Sequence, residues 1–163
     1  MSLAVLAVAG GCGTVNQTYR PSHLGNLADN KVDRGVEVSI LPDKYRARIG
    51  DPLSFKVVIK NVSSEPILLP VEPDLVLTWI YPDGKRDNII RGPKKKVAVK
   101  YRTLAPGESI VENSVITTYY FDRPGIHEFR AILRGDEVAM STHPQSWNGR
   151  AVSNGFGVMF EGN

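Results

Sequence analysis

The stretch LSFKVVIK, residues 53–60, alternates apolar and polar side chains with a period of two. Leu53, Phe55, Val57 and Ile59 fall on one side, and Ser54, Lys56, Val58 and Lys60 fall on the other. A helix would scatter these residues around its axis, whereas a strand sorts them onto two faces. Turn chemistry bounds the run on both sides: Gly50-Asp51-Pro52 before it and Asn61-Val62-Ser63-Ser64 after it. A strand with one apolar face needs a second layer to bury that face. The chain is therefore constrained to a layered β architecture wherever this pattern recurs.

It recurs along most of the chain. VEVSIL (36–41) places Val36, Val38 and Ile40 on one face. ILL (67–69) is a short strand. LVLTWIY (75–81) turns Leu75, Leu77, Trp79 and Tyr81 inward and stops at Pro82-Asp83-Gly84. KVAVKYRTL (96–104) alternates again and stops at Ala105-Pro106-Gly107-Glu108. SIVENSVITTYYF (109–121) holds one strand or two, and IHEFRAILR (126–134) follows the turn at Arg123-Pro124-Gly125. AVSNGFGVMF (151–160) is the last strand, with Val152, Phe156, Val158 and Phe160 on one face and NGFG read as a bulge. The 163 residues hold one sizeable domain, and 15 Gly with 11 Pro punctuate the apolar runs. The expectation is an all-β domain over 35–163, an antiparallel β-sandwich of seven to nine strands with no convincing helix. Its extra length falls in loops 83–96 and 135–149.

Four segments add a resemblance. GDPLSFKVVIKNVSSEPILL, LAPGESI, RPGIHEFRAIL and SWNGRAVSN resemble the early strands, the Ala-Pro-Gly-Glu turn, the penultimate-strand entry and the last-strand lead of bacterial immunoglobulin-like domains. The resemblance implies an immunoglobulin-like sandwich without the inter-sheet disulfide, with Trp79 as its packing tryptophan. It identifies structural turns and implies no particular activity.

The opening segment, MSLAVLAVAGGCG, is uncharged and ends at the single cysteine of the chain. Its apolar run suits a signal peptide and is too short for a bilayer span, which needs ~20 residues. Ala9-Gly10-Gly11-Cys12 resembles the lipobox of bacterial lipoproteins. That resemblance implies cleavage after residue 11, leaving Cys12 as the acylated first residue of the mature chain. Several acyl chains anchor stably where one binds only marginally. Gly13 replaces the Asp that commonly retains such proteins in the inner membrane, which favours the outer membrane in a Gram-negative cell. Residues 12–34 show neither helical nor strand periodicity and read as a lipidated, flexible tether.

No catalytic constellation emerges. One cysteine excludes a disulfide framework and a Cys-rich zinc site. His23, His127 and His143 lack metal-ligand spacing. His23 reads as a solvated tether residue and His127 as a strand-edge or partly buried one. Glu72, Asp74 and Asp122 are scattered loop carboxylates without a calcium-loop pattern. No metal and no cofactor are expected.

Charge is distributed unevenly. Residues 85–102 hold eight basic side chains and one acidic one, so this window carries +7 in a chain whose net charge is +3. Alternation against Val97, Val99 and Tyr101 places Lys96, Lys100 and Arg102 on one outward face, with Lys94 and Lys95 adjoining. One reading is a solvated face guarding an edge strand against aggregation. The other is electrostatic docking to an anionic envelope polymer, lipid phosphates or an acidic envelope protein. Nucleic acid does not suit that address, and no aromatic stacking platform is evident. Together these features describe a non-enzymatic lipoprotein of the bacterial cell envelope, membrane-bound through its anchor and acting as a binding or assembly module. Two alternatives stay open: a protease inhibitor presenting loop 83–96 or loop 135–149 (the latter with Met140 and Pro144), and a structural accessory subunit of an envelope complex.

Overall fold

The computed structural model describes residues 31–91, 100–116, 121–135, 143 and 145–162. The described residues are all-β, with eleven strands in three sheets. Cys12, His23 and Lys94, Lys95 and Lys96 lie outside the described residues.

The smaller sheet has the order β1 (Val36–Pro42), β3 (Leu53–Asn61), β8 (Ser109–Ile116), all antiparallel. The register carries the sequence alternation across the sheet. Val38 lies opposite Ile59, and Ile59 opposite Ile110; Ile40 lies opposite Val57, and Val57 opposite Glu112. Because side chains alternate with a period of two, a slip of one residue would turn every one of these apolar groups to solvent.

The larger sheet has the order β2 (Arg46–Arg48), β11 (Phe156–Glu161), β9 (Gly125–Arg134), β5 (Asp74–Ile80), β6 (Arg86–Arg91), and β10 (Arg150–Val152) also pairs with β9. All its pairs are antiparallel except β2 with β11. A two-stranded ribbon joins β4 (Ile67–Pro70) to β7 (Tyr101–Leu104). One apolar core lies between the two main sheets, and this layering is consistent with a β-sandwich. Phe55 of β3 crosses the interface, its ring centroid 5.3 Å from Phe129 and 5.6 Å from Phe156. Trp79 meets Phe121 edge-on, and Phe121 stacks on Phe160 at 4.8 Å. Tilted and edge-to-face pairs of this kind add to simple area burial.

Several expectations are corrected. The strand count is eleven rather than seven to nine. Residues 86–91, read as part of a long loop, form β6, which pairs with β5 from Leu75↔Arg91 to Ile80↔Arg86. Pairing with a central apolar strand overrides the low β-propensity of this charged segment. AVSNGFGVMF is two strands, broken at 153–155. The Ser153 hydroxyl accepts from the Ala131 amide, and Asn154 Oδ1 accepts from the Ile40 amide at 3.1 Å. The break thus lets a side chain cross to β1 and cover part of its edge.

The last residues of the expected tether belong to the fold. Lys31 exchanges backbone hydrogen bonds with Val152 at 2.8 and 3.1 Å. The Asp33 carbonyl accepts from the Trp147 indole, and its carboxylate accepts from the Arg150 amide. Asn61 is fully buried yet satisfied: its amide donates to the Glu65 and Leu104 carbonyls, and its oxygen accepts from Ser63. It ties the end of β3 to its turn and to β7.

Removal of the inter-sheet ring should be the costliest change in the smaller sheet. Phe55→Ala is expected to lose about 3–5 kcal/mol in denaturant unfolding, whereas Val111→Ala, on the wet face of β8, should stay within about 0.5 kcal/mol. Equal losses at the two sites would mean that the inner face is misassigned.

Candidate functional site

The smaller sheet carries an anomaly on its inner face. On β8 the inward positions are Ile110, Glu112, Ser114 and Ile116. Two of the four are polar, although their partners across the sheet are Val57 and Phe55. β8 is the edge of this sheet among the described residues. An edge position lets a polar group on the inner face reach the rim of the core, where a central strand would bury it among apolar neighbours.

A groove of about 250 Å³ opens at this rim. Val57 of β3 with Leu75 and Leu77 of β5 form its apolar floor. Glu112, Asn113 and Ser114 of β8, and Val71, Glu72 and Pro73 between β4 and β5, complete its lining. Ser114 is 5% exposed, and its buried hydroxyl has no hydrogen-bond partner among the described residues. A buried hydroxyl in that state costs about 1–3 kcal/mol. Glu112 is half-buried and Glu72 exposed, and neither is ion-paired among the described residues. The groove therefore combines apolar surface, one orphan hydroxyl and two acidic groups. Its sequence signal was the pair of polar residues at inward positions of SIVENSVI, which the mixed polarity of both faces of that strand obscured.

Of the expected basic face, Lys94, Lys95 and Lys96 lie outside the described residues, and Lys100 and Arg102 are described. Lys100 is exposed directly before β7, and its carbonyl accepts from the Val71 amide at 2.8 Å. Arg102 lies opposite Leu69 and shares its side of the ribbon with Leu104; both leucines are buried, and the Arg102 Nε is buried as well. Lys85 and Arg86 sit at the far end of the β5–β6 hairpin, where Lys85 approaches Asp83 at 3.8 Å. The length of β6, roughly 15–20 Å, separates that end from Arg91.

The remaining candidate residues do not converge. Asp74 pairs with Arg134 at 2.8 Å, Glu72 lines the groove, and Asp122 lies beside Arg123. Among the described residues no group of three His, Cys, Asp or Glu side chains could hold a metal ion. His143 packs its ring on Tyr101 at 5.1 Å.

Two groups with displaced protonation equilibria lie on β9, within the sheet. His127 is wholly buried rather than at an edge, ringed by Tyr81, Phe121 and Phe160. Burial holds its pKa below the ordinary histidine value, against smaller opposing effects of the Gly125 carbonyl and of Asp122 and Asp83. Glu128 points to the opposite face and is 2% exposed. Burial pushes its carboxyl up to about 7, with nearby Arg130 acting in the other direction.

Neither a family model nor a curated protein matches the chain. Solved structures similar to it include the Northeast Structural Genomics Consortium target SoR45 (13% identity, TM-score 0.49, covering 80% of this chain and 90% of that one). A β-glucosidase from Erythrobacter marinus has 16% identity and TM-score 0.45, with 77% of this chain covered and 15% of that one. The sporulation control protein Spo0M of Bacillus subtilis has 14% identity and TM-score 0.45, with 79% and 50% covered. The chain thus spans a small part of the glucosidase and half of Spo0M.

The two displaced equilibria predict opposite pH responses. The unfolded chain protonates His127 near 6.5 and the folded chain only at lower pH, so this residue removes stability as pH falls below about 6.5. Folded Glu128 takes up its proton near 7 and the unfolded chain only near 4.5, so this residue adds stability as pH falls through that window. In thermal melts from pH 7.5 to 5, Glu128→Gln should lose stability on acidification relative to wild type, and His127→Phe should gain it. Parallel curves for all three proteins would refute the assignment.

Proposed function

We propose that this chain is a lipid-anchored, non-enzymatic module of the bacterial cell envelope. In this reading an immunoglobulin-like sandwich, held on a tether shortened by the docking of residues 31–34, acts by binding or assembly. The groove between β5 and β8 carries the reading. It presents to a ligand an apolar floor and polar groups unpaired among the described residues, while the two titratable groups with displaced equilibria on β9 are buried in the larger sheet. The address rests on the Ala9-Gly10-Gly11-Cys12 junction. Lys100 remains an exposed contributor to docking on an anionic envelope polymer or protein, together with the proposed Lys94, Lys95 and Lys96. Of the two loops offered by an inhibitor reading, 83–96 contains β6, whose residues 86–91 are paired in the larger sheet, which favours the binding module over inhibition.

The address is tested by metabolic labelling with radioactive palmitate in a bacterial host, followed by membrane fractionation. The wild type should incorporate label and sediment with membranes, and Cys12→Ala should do neither. A wild type that stays unlabelled and soluble contradicts the envelope reading.

A further inference from the structure

We propose that the groove between β5 and β8 is a receptor for the side chain of a lysine on a partner protein. The proposal rests on the binding-module reading and adds the chemistry of what is bound. Size comes first. A volume of about 250 Å³ lies below the ~300–1,000 Å³ of pockets that enclose drug-sized ligands, so it suits one side chain better than a cofactor.

The lining then selects the side chain. Val57, Leu75 and Leu77 offer a floor for an aliphatic stem. Glu112 and Glu72 both line the groove, with no cation paired to either among the described residues. Two acidic residues lining one groove favour a cationic ligand over an anionic one. Ser114 supplies an independent observation: it lines the groove, and its buried hydroxyl has no partner among the described residues. A lysine ammonium has three donors and no acceptor, matching two carboxylates and one hydroxyl oxygen. Its four-carbon stem lies on apolar surface while the head reaches polar groups. An anionic ligand would meet two carboxylates, and a purely apolar one would leave all three polar groups unpaired.

Titration of the isotopically labelled full-length chain, followed by amide NMR, tests this. The probes are n-butylammonium, n-butanol and a capped extended pentapeptide with one central lysine among alanines. The ammonium should shift Val57, Leu77, Glu112 and Ser114, and n-butanol should bind about tenfold more weakly or worse. The pentapeptide should bind more tightly than n-butylammonium, because a partner protein carries the group on a backbone. Glu72→Gln combined with Glu112→Gln should abolish the preference for the ammonium over the alcohol, with shifts elsewhere in the spectrum reporting an intact fold. Ser114→Ala should weaken the ammonium alone. Equal binding of alcohol and ammonium, or an unchanged preference in the double variant, overturns the proposal. A pentapeptide that binds no better than n-butylammonium overturns the partner-borne lysine and leaves a free amine site. These outcomes are independent of palmitate incorporation at Cys12, so failure here and failure of the envelope reading are read separately.

Discussion

Phe55 holds the two main sheets together, and its position depends on the register of β3. This strand is the centre of the smaller sheet, paired to β1 on one side and β8 on the other. Its inward row of Leu53, Phe55, Val57 and Ile59 is at most 2% exposed. Displacement by one residue would send Ser54, Lys56 and Lys60 inward and separate Phe55 from Phe129 and Phe156. The larger sheet relies on the same contact. Phe129 carries it into the ring cluster of Phe121, Trp79 and Phe160, which lies beneath β5, β9 and β11.

The register also decides where the core can open. With β3 fixed, β8 must place Glu112 opposite Val57 and Ser114 opposite Phe55. These polar groups face a core that would be better filled by apolar side chains. Their presence at the rim makes the groove. A local rule broken in this way, with no compensating structural bond to the Ser114 hydroxyl, is expected at a binding site.

What could be read in advance follows from how many faces each strand buries. β1 and β3 have one wet face, and their alternation identified both strands and their inner residues correctly. β5 and β9 are buried on both faces, so Val76, Ile80, Glu128 and Arg130 lie under cover that a two-faced reading does not foresee. β2 and β10 have three residues each, too few to display a period. β6 is rich in charge and becomes a strand through its pairing with β5. Arg102 shares its side of the β4–β7 ribbon with the buried Leu104, a neighbour that its alternation with Tyr101 did not foresee. The groove escaped detection for a related reason. Both faces of β8 mix polar and apolar residues, and only the register shows which face is inward. The Cys12 junction, by contrast, is a local sequence pattern and needs no fold to be recognised.

The central claim is that the polar inner face of β8 is kept for binding at a cost to stability. Ser114→Ala tests it most directly, since it removes the buried hydroxyl that has no hydrogen-bond partner among the described residues and leaves the rest of the side chain in place. The account predicts that chemical denaturation will show a gain of about 1 kcal/mol or more, accompanied by weaker n-butylammonium binding. A loss of stability of that size would contradict the account, because it would show that the hydroxyl supports the fold.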